Sequence, residues 1–227
     1  MNEGLFGAQI NQIAAVLKQH DMLLDRNHFP DYRGCGVARF QNKSYKEIWE
    51  ICYAEEYYHF LLQDYSLLQF RADFRAPQFH YSFYEPPYRA LSYSDFLIFE
   101  CGFSEEELAE VGEAFRPDYE IALTTLDLKE VVTPIRYDYD PDMYAEARHP
   151  ASHMHLGHNS SIRIGTKRLL KPLSFLEFIL RQCYPQKWIE FLNSDDGFVL
   201  CRNVREGLDD IHMRYWNTLD EFEMILD

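Results

Sequence analysis

Four of the nine histidines fall in one stretch, Arg148-His149-Pro150-Ala151-Ser152-His153-Met154-His155-Leu156-Gly157-His158. Imidazole titrates near neutrality, so such a cluster suits an acid and a base on either side of a phosphate, or two ligands of one metal ion. If Ser152 opens a strand, alternation sends His153 and His155 outward on one face, about 7 Å apart, while Met154 and Leu156 enter the core. His153 and His155 are therefore the candidate catalytic pair. The plain structural alternative is the solvent face of an edge strand.

Charge adds to the first reading. No acidic residue lies between Glu146 and Glu177, whereas Arg148, Arg163, Lys167, Arg168 and Lys171 supply five positive charges there. Guanidinium groups grip phosphate and carboxylate oxygens bidentately. His149, His158, Arg148, Arg163 and Arg168 are thus the candidate ligand-binding residues, with the Ser160 and Ser161 hydroxyls beside them. The competing expectation is that these cations pair with carboxylates elsewhere on an acidic chain. Alternation also puts Asp138 and Asp140 on one face of Arg136-Tyr137-Asp138-Tyr139-Asp140. Beside the 152–157 strand, two carboxylates and two imidazoles could hold Mg²⁺ or Mn²⁺. Register decides this, so sequence alone assigns no metal ligand and no cofactor.

Other short patterns carry less. Glu56-Tyr57-Tyr58-His59 has the Glu-x-x-His spacing of carboxylate-bridged metal bundles, which need it on two helices with further glutamates; Asp209-Asp210-Ile211-His212 is only a loose echo. Phe79-His80-Tyr81-Ser82-Phe83 has the His-x-Ser spacing of two-histidine phosphoesterases, but His153-Met154-His155 carries His where a second copy needs Ser or Thr. No P-loop, dinucleotide-binding glycine pattern, nucleophile elbow, HExxH or kinase set occurs.

The elements that must position these residues follow from periodicity. Phe6, Ile10, Ile13, Leu17 and Leu24, and then Ile48, Cys52 and Leu61 after Ser44, predict a helical first third over 1–65, with Gly34 and Gly36 in its loop. Leu68 to Phe74 and Phe79 to Phe83 alternate as antiparallel strands turned at Ala76-Pro77. Residues 92–99 suit a strand or a helical turn. Ser104 to Glu107 reads as a capping box opening a short helix that closes before Arg116-Pro117. Ile135 to Tyr139, 152–157 and 161–165 complete a sheet-rich 66–165. Ser174 and Glu177 predict a second capping box, with Leu173 stapled onto Phe178, opening a helical 172–227 that ends in an amphipathic helix through Leu208, Ile211, Tyr215, Leu219 and Phe222. The expected class is α+β: a largely antiparallel sheet flanked by helices, in one domain over 1–227.

Composition bounds the function. The 227 residues include 16 Tyr and 17 Phe, enough aromatic surface for a packed core and too much for a disordered chain. A net charge of −15 opposes sequence-independent binding to duplex DNA and to anionic membranes. The five cysteines, Cys35, Cys52, Cys101, Cys183 and Cys201, are odd in number, widely spaced and form no CxxC pair, as expected of buried free thiols in a reducing compartment. Neither a secretory leader nor a membrane-spanning run is expected.

The segments Ile135-Arg136-Tyr137-Asp138-Tyr139-Asp140-Pro141, His149-Pro150-Ala151-Ser152-His153 and Pro172-Leu173-Ser174-Phe175-Leu176-Glu177-Phe178-Ile179-Leu180 resemble a family of uncharacterised bacterial proteins of unknown function. The resemblance, mainly over residues 130–185, implies a bacterial cytoplasmic protein and carries over no catalytic residue. Two functions fit the sequence. One is binding of a phosphate-bearing ligand, RNA or a nucleotide, at the His/Arg segment, with phosphodiester hydrolysis by His153 or His155 and charge stabilisation by Arg163 or Arg168. The other is a non-catalytic interaction protein whose acidic, aromatic-rich surface docks a basic protein partner.

Overall fold

Asn2, Ser44 and Ser92 each place a side-chain oxygen on an otherwise free N–H at the start of a helix, accepting from Leu5, Glu47 and Asp95 respectively. The helices they open are α1 (Glu3–Gln19), α2 (Tyr45–Ala54) and α3 (Tyr93–Phe99). At Ser44 the capping box is complete, because Glu47 reaches back to the Ser44 N–H. The computed structural model describes residues 1–32, 40–89, 92–125, 128–194, 197, 200–202 and 207–222. Gly34, Gly36 and Cys35 lie outside them. Cys52, Cys101, Cys183 and Cys201 are free thiols, but of these four only Cys52 is buried and Cys183 is exposed, against the expected burial, and no described helix is long and apolar enough to cross a membrane.

Seven strands follow one another as an antiparallel meander: β1 (Leu23–Arg26), β2 (Phe60–Leu62), β3 (Leu67–Asp73), β4 (Gln78–Tyr84), β5 (Ile135–Tyr139), β6 (Ser152–Leu156) and β7 (Ile164–Gly165). With its flanking helices the protein is α+β, as the periodicity predicts. β1 and β2 interrupt the helical first third, so Leu24 and Leu61, expected to extend helical faces, are strand residues instead. Residues 93–99 are helical. The short α4 (Leu108–Val111) follows Ser104–Glu107, and α5 (Arg116–Thr125) begins at Arg116. Pro117, read as a stop, opens this helix, since proline is tolerated in a first turn where N–H groups have no intrahelical partner.

The two sheet faces differ. One packs Phe70, Tyr81, Tyr137 and Met154 against Ile13 and Leu17 of α1 and against Phe175, Leu176 and Ile179 of α6 (Pro172–Cys183); α7 (Pro185–Leu192) adds Phe191. Across the opposite face a second apolar cluster gathers α2, α3 and α5 over Leu61 and Leu67, and contains no residue of β5 or β6. There the sheet carries polar side chains.

Two expected elements differ in detail. α6 starts at Pro172, earlier than Ser174; Ser174 is the third helical residue, and its hydroxyl accepts from the Lys171 N–H while donating to the Lys171 carbonyl. Glu177 is therefore released from any cap. Among the described residues of 207–222 there is no amphipathic helix. Asp209–Asp210 form β9, paired with β8 (Arg168–Leu169), and 3₁₀ turns occupy Met213–Tyr215 and Asp220–Phe222. The cause is side-chain bonding. Arg168 and Lys171 draw Asp210 and Asp209 into ion pairs, and Asp220, 1% exposed, accepts from the Asn217 N–H, the Tyr144 hydroxyl and the Ala147 N–H.

Candidate metal centre

The strand register assembles the site. His80 of β4, Asp138 of β5 and His153 of β6 stand directly opposite one another, and the adjacent row runs through Ser82, Arg136 and His155. The aromatic face holds this alignment. Tyr81, Tyr137 and Met154 are likewise opposite one another in the core, Phe79 stacks on Tyr139 at 5.8 Å, and the Tyr137 hydroxyl lies 2.8 Å from Ser152 Oγ while accepting from Leu170 N–H. A one-residue slip would drive Tyr137 out of the core, so packing on one face sets the pairing of polar groups on the other.

His153 and His155 share the face opposite Met154, as alternation requires, but the expectation that they point outward to solvent fails. β6 lies between β5 and β7, and the two residues are 1% and 8% exposed. A turn closed by bonds from the Arg148 and His149 N–H groups to the Ala145 carbonyl brings the His149 ring to 4.8 Å from that of His153. The two β6 rings tilt together, so Nε2 of His153 and Nε2 of His155 stand only 2.9 Å apart.

Asp138 completes the cluster. Its Oδ2 is 3.3 Å from His155 Nε2, 4.0 Å from His153 Nε2 and 2.8 Å from Arg136 Nε; its Oδ1 is 3.0 Å from His80 Nδ1. His153 Nδ1 lies 2.7 Å from the Pro150 carbonyl oxygen, which can only accept, so Nδ1 carries the proton and the neutral ring turns a lone pair on Nε2 toward the cluster. Burial, helped by His155, pushes His153 down to about 4. Burial works against charge on Asp138 as well, but the hydrogen bonds from His155 and His80 and the Arg136 charge outweigh it and hold the carboxyl well below its usual range.

Each of the three residues offers one atom able to bind a metal ion, and these atoms lie within 4.8 Å of one another. A triangle with sides of 2.9, 3.3 and 4.0 Å has a centre about 2.0 Å from each corner, the length of a zinc–imidazole or zinc–carboxylate bond. The neighbours are those that orient metal ligands: the Pro150 carbonyl on the far nitrogen of His153, and His80 on the second oxygen of Asp138.

Of the other sequence candidates, His149 lies against the cluster and the rest are dispersed. His149 packs on His153; burial first, then Arg163, lowers its pKa. Arg148 and Arg163 are exposed nearby in sequence, Arg163 donating to the Ser161 carbonyl. Arg168 is paired with Asp210, and Lys167 with Glu221. His158 packs at 5.8 Å on Tyr45 of α2. Asp140 faces Gln78 and the Asp142 N–H, apart from the cluster. His80, singled out only within a His-x-Ser pattern, and Arg136, which was no candidate, join the site. Alternation with Phe79 and Tyr81 already put His80 on the polar face, but only pairing with β5 sets it against Asp138.

Fold and cluster together define an α+β protein whose antiparallel sheet carries a buried carboxylate–imidazole cluster. The chain matches the family described as Uncharacterized conserved protein (DUF2290) over residues 21–212 and belongs to it. No curated protein and no solved structure matches the chain.

Proposed function

We propose that Asp138, His153 and His155 hold one divalent first-row ion, zinc in the simplest case, and that the centre hydrolyses a phosphate ester, with RNA or a nucleotide as the substrate class. The observation that carries this reading is the common point about 2.0 Å from the three ligand atoms, a bond length suited to imidazole–carboxylate coordination. A bound ion would polarise a phosphoryl oxygen and ease deprotonation of a water. The water oxygen bonds to phosphorus, the ester P–O bond breaks, and the water's proton ends on the leaving oxygen. The half-exposed guanidinium of Arg136, 2.8 Å from Asp138 Oδ2, lies where it can meet the substrate's negative charge.

Metal analysis of the purified chain tests this. One zinc per chain is expected, falling below a tenth in Asp138→Asn and in His155→Gln, together with EDTA-sensitive cleavage of bis(p-nitrophenyl) phosphate that zinc restores. Unchanged zinc content in both variants would refute the centre. Cleavage that survives EDTA favours a second reading, supported by the 2.9 Å contact of the two Nε2 atoms: a metal-free acid/base pair sharing one proton.

A further inference from the structure

A cavity of about 190 Å³ lies between α2 and α5, among residues the polar cluster does not use. Its buried lining includes Trp49, Tyr65 and Tyr88, each no more than 4% exposed, and the half-buried Tyr53 completes it, stacked on Trp49 at 5.2 Å. The walls are almost wholly apolar, yet two carboxylates border them, Glu50 and Glu120. Hydrogen bonds hold both acids in place: Tyr88 OH donates to Glu50 at 2.6 Å and Tyr65 OH to Glu120 at 3.2 Å. Among the described residues no ion pair joins Glu120 to a Lys or Arg, although the Arg116 guanidinium also bonds Tyr65. Glu50 faces Lys46 at 3.7 Å, and that ammonium also sits 5.5 Å from the centre of the Tyr88 ring.

Aromatic faces attract cations through their quadrupoles, and the attraction strengthens in a desolvated pocket. Fixed carboxylates add a negative field, while apolar walls disfavour a group whose N–H bonds would go unpaired. The volume is below the roughly 300 Å³ at which pockets enclose whole drug-sized ligands. It suits a headgroup. We infer that this cavity binds the alkylammonium head of a small organic cation, a trimethylammonium group being its best complement. Lys46, outside the lining, is the chain's own cation beside the same carboxylate and ring.

Calorimetric titration of the full chain with choline, and with 3,3-dimethylbutanol as its uncharged carbon isostere, tests the inference. Choline is expected to bind saturably at least about tenfold more tightly than the neutral isostere. Glu120→Gln keeps an acceptor for Tyr65 and should weaken choline severalfold; Tyr53→Leu, at a half-buried lining position, should do the same without opening the core. Lack of saturable choline binding, equal affinity for the isostere, or unchanged choline affinity in both variants would overturn it. Zinc content is expected to be the same in these variants as in the natural chain, so failure here is distinct from failure of the metal centre.

Discussion

Replacing Asp138 by Asn separates two roles of one carboxylate. Without metal, Asp138 accepts from His80, Arg136 and His155 at 3.0, 2.8 and 3.3 Å. Charged hydrogen bonds are worth about 1.5–3 kcal/mol each. The Arg136 side chain is 46% exposed, so its bond counts for less than about 1 kcal/mol. Asn retains one acceptor oxygen, and the net loss in EDTA should be about 2–3 kcal/mol. With metal, the linkage is RT ln(1 + [Zn]/Kd), or about 2.7 kcal/mol at a hundredfold excess over Kd. In a chain of this size that corresponds to a rise in Tm of about 5–11 °C. Thermal melts of both proteins in EDTA and in buffered free zinc read the two quantities separately. The natural chain should show the rise and the Asp138→Asn variant should not, beyond its lower starting Tm. An equal zinc-induced rise in both would refute the assignment of Asp138 as a ligand, whatever the size of the EDTA difference.

Three more expectations follow from the surroundings. His80→Ala removes the group that positions Asp138 and touches no ion, so zinc should bind about 10–100-fold more weakly by competition with a chelating dye while the one-to-one stoichiometry persists; unchanged affinity would exclude that positioning role. Burial raises Glu177 to about 7, so the fold binds its proton more tightly than the unfolded chain does, and this stability disappears as pH climbs from about 4.5 through 7. Glu177→Gln should therefore stabilise at pH 8, by about 1–2 kcal/mol after allowing for partial solvation, with little effect at pH 5 by urea unfolding. Although burial opposes it, bonds from Tyr144, Asn217 and Ala147 hold the Asp220 carboxyl below its ordinary range; this stability is present above about pH 4 and lost in stronger acid. Asp220→Asn should cost about 2 kcal/mol at pH 7, a deficit that narrows near pH 3 in the same urea titrations.

Alternation and capping chemistry are local, and where they governed an element the sequence was enough. The helical stretch from Ser44, the runs 68–74 and 79–83, and Ile135 to Tyr139 are legible because side-chain period depends on neighbours a few residues away. The same locality explains the failures. The apolar spacing from Leu208 to Phe222 imitates an amphipathic helix, and nothing nearby reveals that Asp209, Asp210 and Asp220 are claimed by Lys171, Arg168 and Tyr144. Charge counting likewise set five cations around the histidines, whereas Lys167, Arg168 and Lys171 answer to acids contributed by the C-terminal segment.

Sequence alone puts His153 and His155 on one face opposite Met154, because a strand alternates whatever it pairs with. Their burial, the 2.9 Å approach of their Nε2 atoms, and the arrival of Asp138 and His80 belong to tertiary structure. Those depend on the register of three strands from distant parts of the chain, and that register is held by Tyr81, Tyr137 and Met154 packing on the other side of the sheet.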